Sequence, residues 1–315
     1  MPLDPQAQAV MDQVAALGFP PNHTVSPAQA RVNSKARPRA PGPAVAWVED
    51  RRIPGPDAEL PVRIYTPEGH GPFPALVWFH GGGWVVGDLE TADATARHLT
   101  LGASCVVVSV DYRLSPETQF PGPAEDCYAA TRWVAQNAAS INADPGKIAV
   151  GGDSAGGNLA AAISLMARDR GGPPLALQLL VYPVTDRDFS TESYLQNAEG
   201  YQLTRDTMVW YWDQYLKSDA DAANPYAAPL QAQDLRGLPP ALVITAEYDP
   251  LRDEGEAYAH RLEAAGVNAT CIRYDGMIHG FFGMPAAIDK GKQAIAQASA
   301  ALKAAYASQY SPAGA

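Results

Sequence analysis

Apolar residues recur along this chain in short β-branched runs, separated by longer stretches with helical spacing. The runs at 45–53, 59–66, 74–79, 104–110, 147–151, 176–182, 241–246 and 269–274 read as strands. The stretches 91–103, 123–139, 154–169, 251–265 and 286–307 read as helices. Several runs are apolar at every position, as in Ala75-Leu76-Val77-Trp78-Phe79, Val106-Val107-Val108 and Leu242-Val243-Ile244. Such runs suit strands buried on both faces, and alternation with helices predicts a mostly parallel sheet with helices on both sides. Only the short turn Gly55-Pro56-Asp57 separates the first two strands, which predicts an antiparallel hairpin.

Two regions depart from the alternation. Residues 4–17 carry apolar side chains at helical spacing (Ala7, Val10, Met11, Val14, Ala15) and stop at Pro20-Pro21; a second short helix is predicted over 26–37, before a Pro/Ala/Gly stretch at 38–44. Residues 186–222 hold Phe189, Tyr194, Tyr201, Trp210, Tyr211, Trp212 and Tyr215, with Thr204 placed to cap a helix over 205–217. An insertion after one parallel strand and before the next sits over the carboxyl edge of the sheet, where ligands bind in open α/β folds. The chain therefore divides into N-terminal cap helices (1–40), a core in two parts (41–185 and 223–315) and an inserted cap segment (186–222).

Composition narrows the function. A net charge of −11 across 315 residues argues against nucleic acid and anionic membrane surfaces, which need clustered Lys and Arg. No stretch approaches the ~18 apolar residues of a spanning helix. The opening residues lack a basic start, an apolar core and a cleavage site, so no signal peptide is expected. Cys105, Cys127 and Cys271 are far apart and lack C-x-x-C spacing; they are expected to be buried free thiols in a cytoplasmic protein. The oligomeric state stays open, a homodimer included.

The chemistry begins at Gly151-Gly152-Asp153-Ser154-Ala155-Gly156-Gly157-Asn158. Ser154 falls on a sharp strand-to-helix turn, and Gly152 and Gly156 let strand and helix approach closely. The turn exposes the hydroxyl at a helix amino end, where backbone N–H groups favour negative charge. A serine hydroxyl is a weak nucleophile at neutral pH and needs a base within hydrogen-bond reach. Of the six histidines, His23 lies in the N-terminal segment, His70 in a Gly/Pro loop, and His98 and His260 inside helical runs; His80 opens a glycine loop. His279 follows the last strand, at the same sheet edge as Ser154, and is the best base. Asp249, just past the strand at 241–246, is preferred over Glu247 and Asp253 as the carboxylate that fixes the imidazole tautomer. The order Ser154, Asp249, His279 is that of α/β-hydrolases.

The loop His80-Gly81-Gly82-Gly83-Trp84 follows the strand at 74–79. With Ala155, its backbone N–H groups can hold an oxyanion. Spacing does not tell which of Gly81, Gly82 and Gly83 donate; Gly82 and Gly83 are the first choice. A lone G-x-S-x-G arises by chance in roughly a tenth of chains this long, so the ordered acid, base and glycine loop carry the assignment. Cofactor motifs fail: Gly157 stands where a phosphate loop needs lysine, and Val86 where a dinucleotide fingerprint needs glycine. No metal-ligand spacing is present, and no cofactor is expected. Arg113, in Asp111-Tyr112-Arg113-Leu114-Ser115-Pro116-Glu117, is expected to tie Asp126 and Glu117 together beneath the site.

These motifs, with Asp249-Pro250-Leu251-Arg252-Asp253-Glu254-Gly255 and His279-Gly280-Phe281, resemble the hormone-sensitive-lipase-like branch (family IV) of the α/β-hydrolases. The resemblance runs from about residue 40 to 307. It implies an eight-stranded sheet with an antiparallel second strand and a helical cap. It also implies Ser154 as nucleophile, Asp249 as acid, His279 as base, and a substrate class of short- to medium-chain carboxylic esters. Ser115 departs from the alanine of many relatives. Trp84, Phe281, Phe282 and the aromatics of 201–215, Tyr201 and Trp210 among them, are expected to line the substrate pocket. Two other readings use the same residues: a non-enzymatic small-molecule receptor, and an amidase or lactonase.

Overall fold

The computed structural model describes residues 2–308; Met1 and 309–315, the outer ends of the first and last segments proposed above, lie outside it. The sheet has eight strands: β1 (Trp47–Pro54), β2 (Glu59–Thr66), β3 (Phe73–Phe79), β4 (Val106–Val110), β5 (Ala143–Asp153), β6 (Gln178–Val181), β7 (Ala241–Tyr248) and β8 (Ala269–Ile278). Their order is β1-β2-β4-β3-β5-β6-β7-β8. β2 runs antiparallel to both β1 and β4, and the other pairings are parallel. This is the α/β-hydrolase sheet that the alternation and the motifs predict.

The helices are α1 (Pro5–Ala16), α2 (Pro27–Ala36), α3 (Leu89–Ala103), α4 (Gly122–Gln136), α5 (Ala155–Asp169), α6 (Glu192–Gln196), α7 (Arg205–Tyr215), α8 (Arg252–Ala264) and α9 (Asp289–Ser308). Strand period two sorts the core. On β3, Ala75, Val77 and Phe79 face one layer with α4, α5 and α8; Leu76 and Trp78 face the other with α3, α9 and Ala7 and Val10 of α1. Helix starts follow local chemistry. Asp4, Ser26 and Thr204 accept the N–H groups of Gln6, Gln29 and Thr207, and Asp88 forms a reciprocal cap with Thr91.

The parallel strands β5, β7 and β8 run past the carboxyl ends of their apolar runs, and the extensions matter. β5 continues through its glycines because Gly152 pairs with Phe79 on one side and Leu180 on the other. β8 continues past Gly276, whose positive φ of 74° bends the strand, and Ile278 ends paired with Tyr248. These registers fix the site. Phe79 and Gly152 are partners, so the glycine loop and the Asp153-Ser154 turn leave the sheet side by side. Tyr248 and Ile278 are partners, so Asp249 and His279 do the same.

Candidate active site

Ser154 is forced into a rare backbone conformation, φ 57° and ψ −120°, between the end of β5 and the start of α5. Its flanking glycines have no room for a side chain. A Cβ on Gly156 would stand 1.9 Å from the Phe79 carbonyl oxygen, and one on Gly152 would stand 2.3 Å from that of Gly156. The strain points the hydroxyl out of the sheet edge. His279 Nε2 lies 3.1 Å from Ser154 Oγ, and His279 Nδ1 lies 2.7 Å from Asp249 Oδ2. The other Asp249 oxygen accepts the Leu251 N–H at 2.9 Å, and the carboxylate is fully buried. The Tyr182 ring supports the imidazole at 4.5 Å between centroids. The two rival carboxylates are engaged elsewhere: Asp253 accepts the Ser193 N–H and pairs with Arg252, and Glu247 accepts the Gly276 N–H.

Three contacts hold the start of the glycine loop. Tyr112 donates its hydroxyl to the His80 carbonyl at 2.7 Å, His80 Nδ1 contacts the Gly81 carbonyl at 2.8 Å, and the Gly81 N–H donates to Asp153 Oδ1 at 3.0 Å. The last contact bears on the choice that spacing leaves open among Gly81, Gly82 and Gly83. Gly81 has its N–H committed to Asp153, which leaves Gly82 and Gly83, both at positive φ, to present donors beside Ser154. Ala155, the first residue of α5, carries an N–H with no intrahelical acceptor. Burial raises the Asp153 carboxyl to about 6, and the hydrogen bond from the Gly81 N–H acts in the opposite direction. Burial also lowers His80, which favours a neutral ring stacked on Tyr112.

Surrounding residues brace this edge. Arg113 pairs with Asp126, as expected, but its second carboxylate is Asp57. Glu117 belongs instead to Arg31 of α2, whose guanidinium also donates to the carbonyls of Val85 and Ser115. A pairing across 86 residues of chain has no local sequence signal. Glu254 of α8 accepts the N–H groups of Thr185 and Asp186, and burial holds its carboxyl well above the usual range. A raised acid stabilises the fold fully below the unfolded carboxylate range and loses that contribution as pH climbs through its folded value. Glu254→Gln keeps the acceptor and removes the proton. Thermal unfolding of wild type is therefore expected to weaken more steeply toward alkaline pH than that of the variant; parallel pH profiles would contradict the assignment.

A cavity of about 530 Å³ opens onto Ser154 and His279. Its apolar wall comes from Met11 and Val14 of α1, Phe19, Val86, Leu203 and Tyr211. The Tyr211 ring lies against Gly83, and its hydroxyl accepts from Asn22 at 2.7 Å, which joins the N-terminal segment to α7. The aromatics named from sequence mostly do other work. Trp84, stacked on Tyr215, is fully buried core, as are Phe281 and Phe282, and none faces the cavity. Tyr201 packs on Tyr248 and Trp210 on Tyr211, and neither lines the cavity. Trp84 packs among Trp212 and Tyr215, and Phe281 and Phe282 in the layer of α3 and α9, while Met11 and Val14 of α1 join the wall. The periodic face of α1 held that signal: Val10 turns to the core, Met11 and Val14 to the cavity.

Residues 76–283 match a protein family described as the α/β-hydrolase fold. The chain belongs to this family. Among curated α/β-hydrolase relatives, the carboxylic ester hydrolase LipN of Mycobacterium tuberculosis is 47% identical over 266 residues, 80% of this chain and 70% of LipN. An arylesterase of Saccharolobus solfataricus is 40% identical over 289 residues, 90% of this chain and 94% of that protein. Among solved structures, an ester hydrolase from the metagenome of Lake Arreo, in complex with a bipyridine phosphonate derivative, superimposes with a TM-score of 0.91 at 41% identity. That match covers 97% of this chain and 99% of the other. The hormone-sensitive-lipase-like branch expected from the motifs is the one to which this α/β-hydrolase belongs. Among the described residues there is no cluster suited to a metal ion and no helix long and apolar enough to cross a membrane.

Proposed function

We propose that the protein is a serine carboxylesterase that hydrolyses short- to medium-chain esters through an acyl-enzyme. One observation carries this reading: the unbroken contact from Ser154 Oγ through His279 to buried Asp249, beside uncommitted N–H groups at Gly82, Gly83 and Ala155. Ser154 Oγ attacks the ester carbonyl as His279 Nε2 takes its proton, and Asp249 holds Nδ1–H and stabilises the imidazolium. The oxyanion develops against the three N–H groups, where a single donor is worth about 10²–10³ in turnover. His279 then protonates the leaving alcohol, and water activated by the same ring releases the acid. The named activities of LipN and the arylesterase support this class.

Residues 1–40 and 186–222 act as a cap, a role supported by their shared contribution to the cavity wall. Free thiols at Cys105, Cys127 and Cys271 fit a reducing, cytoplasmic setting; the first two are buried, and Cys271 is half-buried rather than buried as expected. A complete base speaks against the receptor reading. Hydrolysis of aryl esters from acetate to palmitate tests the proposal. Rates should peak at short to medium chains, since the cavity is of ordinary small-ligand size. A peak at palmitate would contradict it, and a matched amide turned over faster than its ester would favour the amidase.

A further inference from the structure

The cavity wall carries a cation with nothing to neutralise it. Arg37, at the end of α2, lines the same cavity as Ser154 and His279, yet its guanidinium makes no hydrogen bond or ion pair with any described residue. Its Nε is closed off from solvent and has no partner. With Nε covered, the terminal nitrogens are the part of the fork left for a ligand, and no described carboxylate or carbonyl takes them. Nearby arginines are not in this state. Arg31 is held by Glu117 and two carbonyls, and Arg39 donates to the Ser34 carbonyl.

Two carboxylates share the wall, and neither pairs with Arg37. Asp153 accepts the Gly81 N–H beside the nucleophile, and Asp12 accepts from Gln8 at the exposed rim. A second polar atom on the wall is also unmet: the buried Oε1 of Gln202, a residue held at φ 71°. The remaining wall near α1 and Tyr211 is apolar. The wall thus sets an unpaired guanidinium beside an apolar lining.

We infer that Arg37 selects esters that bear a free carboxylate remote from the scissile bond, such as half-esters of dicarboxylic acids. The planar guanidinium matches a carboxylate in charge and in hydrogen-bond geometry, and the apolar wall suits the methylenes between the two ends. The inference rests on the esterase reading and specifies its substrate class.

Two matched pairs of esters test it. One is the 4-nitrophenyl half-ester of glutaric acid against 4-nitrophenyl pentanoate; the other is 4-carboxyphenyl acetate against 4-carbamoylphenyl acetate. The readout is the ratio of kcat/KM, charged over neutral. In at least one pair, Arg37→Gln should lower this ratio roughly ten- to a hundredfold, and Arg37→Lys, which keeps the charge without the fork, should fall between. In wild type, added salt should depress kcat/KM for the charged ester of that pair more than for its neutral partner. Ratios unchanged by Arg37→Gln in both pairs, with neutral esters still hydrolysed, would overturn the role of Arg37 alone. Failure of wild type on every ester would overturn the esterase reading and this inference with it.

Discussion

Ser154→Ala is expected to lower turnover of an aryl acetate by about 10⁵–10⁶ while leaving the fold intact. The hydroxyl lies against His279 Nε2 and beside the N–H groups of the glycine loop, so its loss removes the covalent route. Its loss should not disturb packing. The backbone contacts that hold the turn, Ser154 N–H to the Val181 carbonyl and the Ser154 carbonyl to the Asn158 N–H, do not involve the side chain. Alanine accepts the same strained dihedrals, since the strain comes from having a Cβ at all. Steady-state rates and thermal unfolding of the purified variant check both halves. A variant that retains activity would remove Ser154 from the chemistry.

Asp249→Asn should cost about 10⁴ in kcat. The buried carboxylate accepts from His279 Nδ1 on one oxygen and from the Leu251 N–H on the other. An asparagine must keep an acceptor toward Leu251, which turns its NH₂ toward His279. The imidazole then places its proton on Nε2, facing Ser154, and can no longer act as base. Asp253→Asn should have a far smaller effect, because Asp253 holds Ser193 and Arg252 and not the imidazole. A large loss in Asp253→Asn with Asp249→Asn unharmed would reverse the assignment of the acid.

Much of this arrangement was legible before any coordinates. Solid apolar runs marked the inner strands because a parallel sheet buries both faces, and Thr204 marked the start of α7 because its oxygen meets an orphan N–H. The three triad residues can be picked because each follows a strand at the same sheet edge; the strands run on past their apolar stretches, so that each residue stands one position beyond the strand's end. What stayed hidden depends on partners distant in the chain. Hydrophobicity does not distinguish an aromatic that fills a core from one that lines a cavity, so Trp84, Tyr201, Trp210, Phe281 and Phe282 lie off the cavity they are expected to line, while Met11 and Val14, legible only as a helical face, line it together with Arg37. The donor role of Gly81 was decided by strand register, since Phe79 opposite Gly152 delivers Asp153 to its N–H. No composition or spacing encodes that pairing. Glu117 was assigned to the wrong arginine for the same reason.

The most direct measurement is covalent labelling with an aryl phosphonate, followed by mass spectrometry of the digested protein. One equivalent should attach to the peptide containing Ser154, and esterase activity should disappear in proportion to labelling. Stoichiometric attachment at another residue, or full activity in protein labelled at Ser154, would contradict the account.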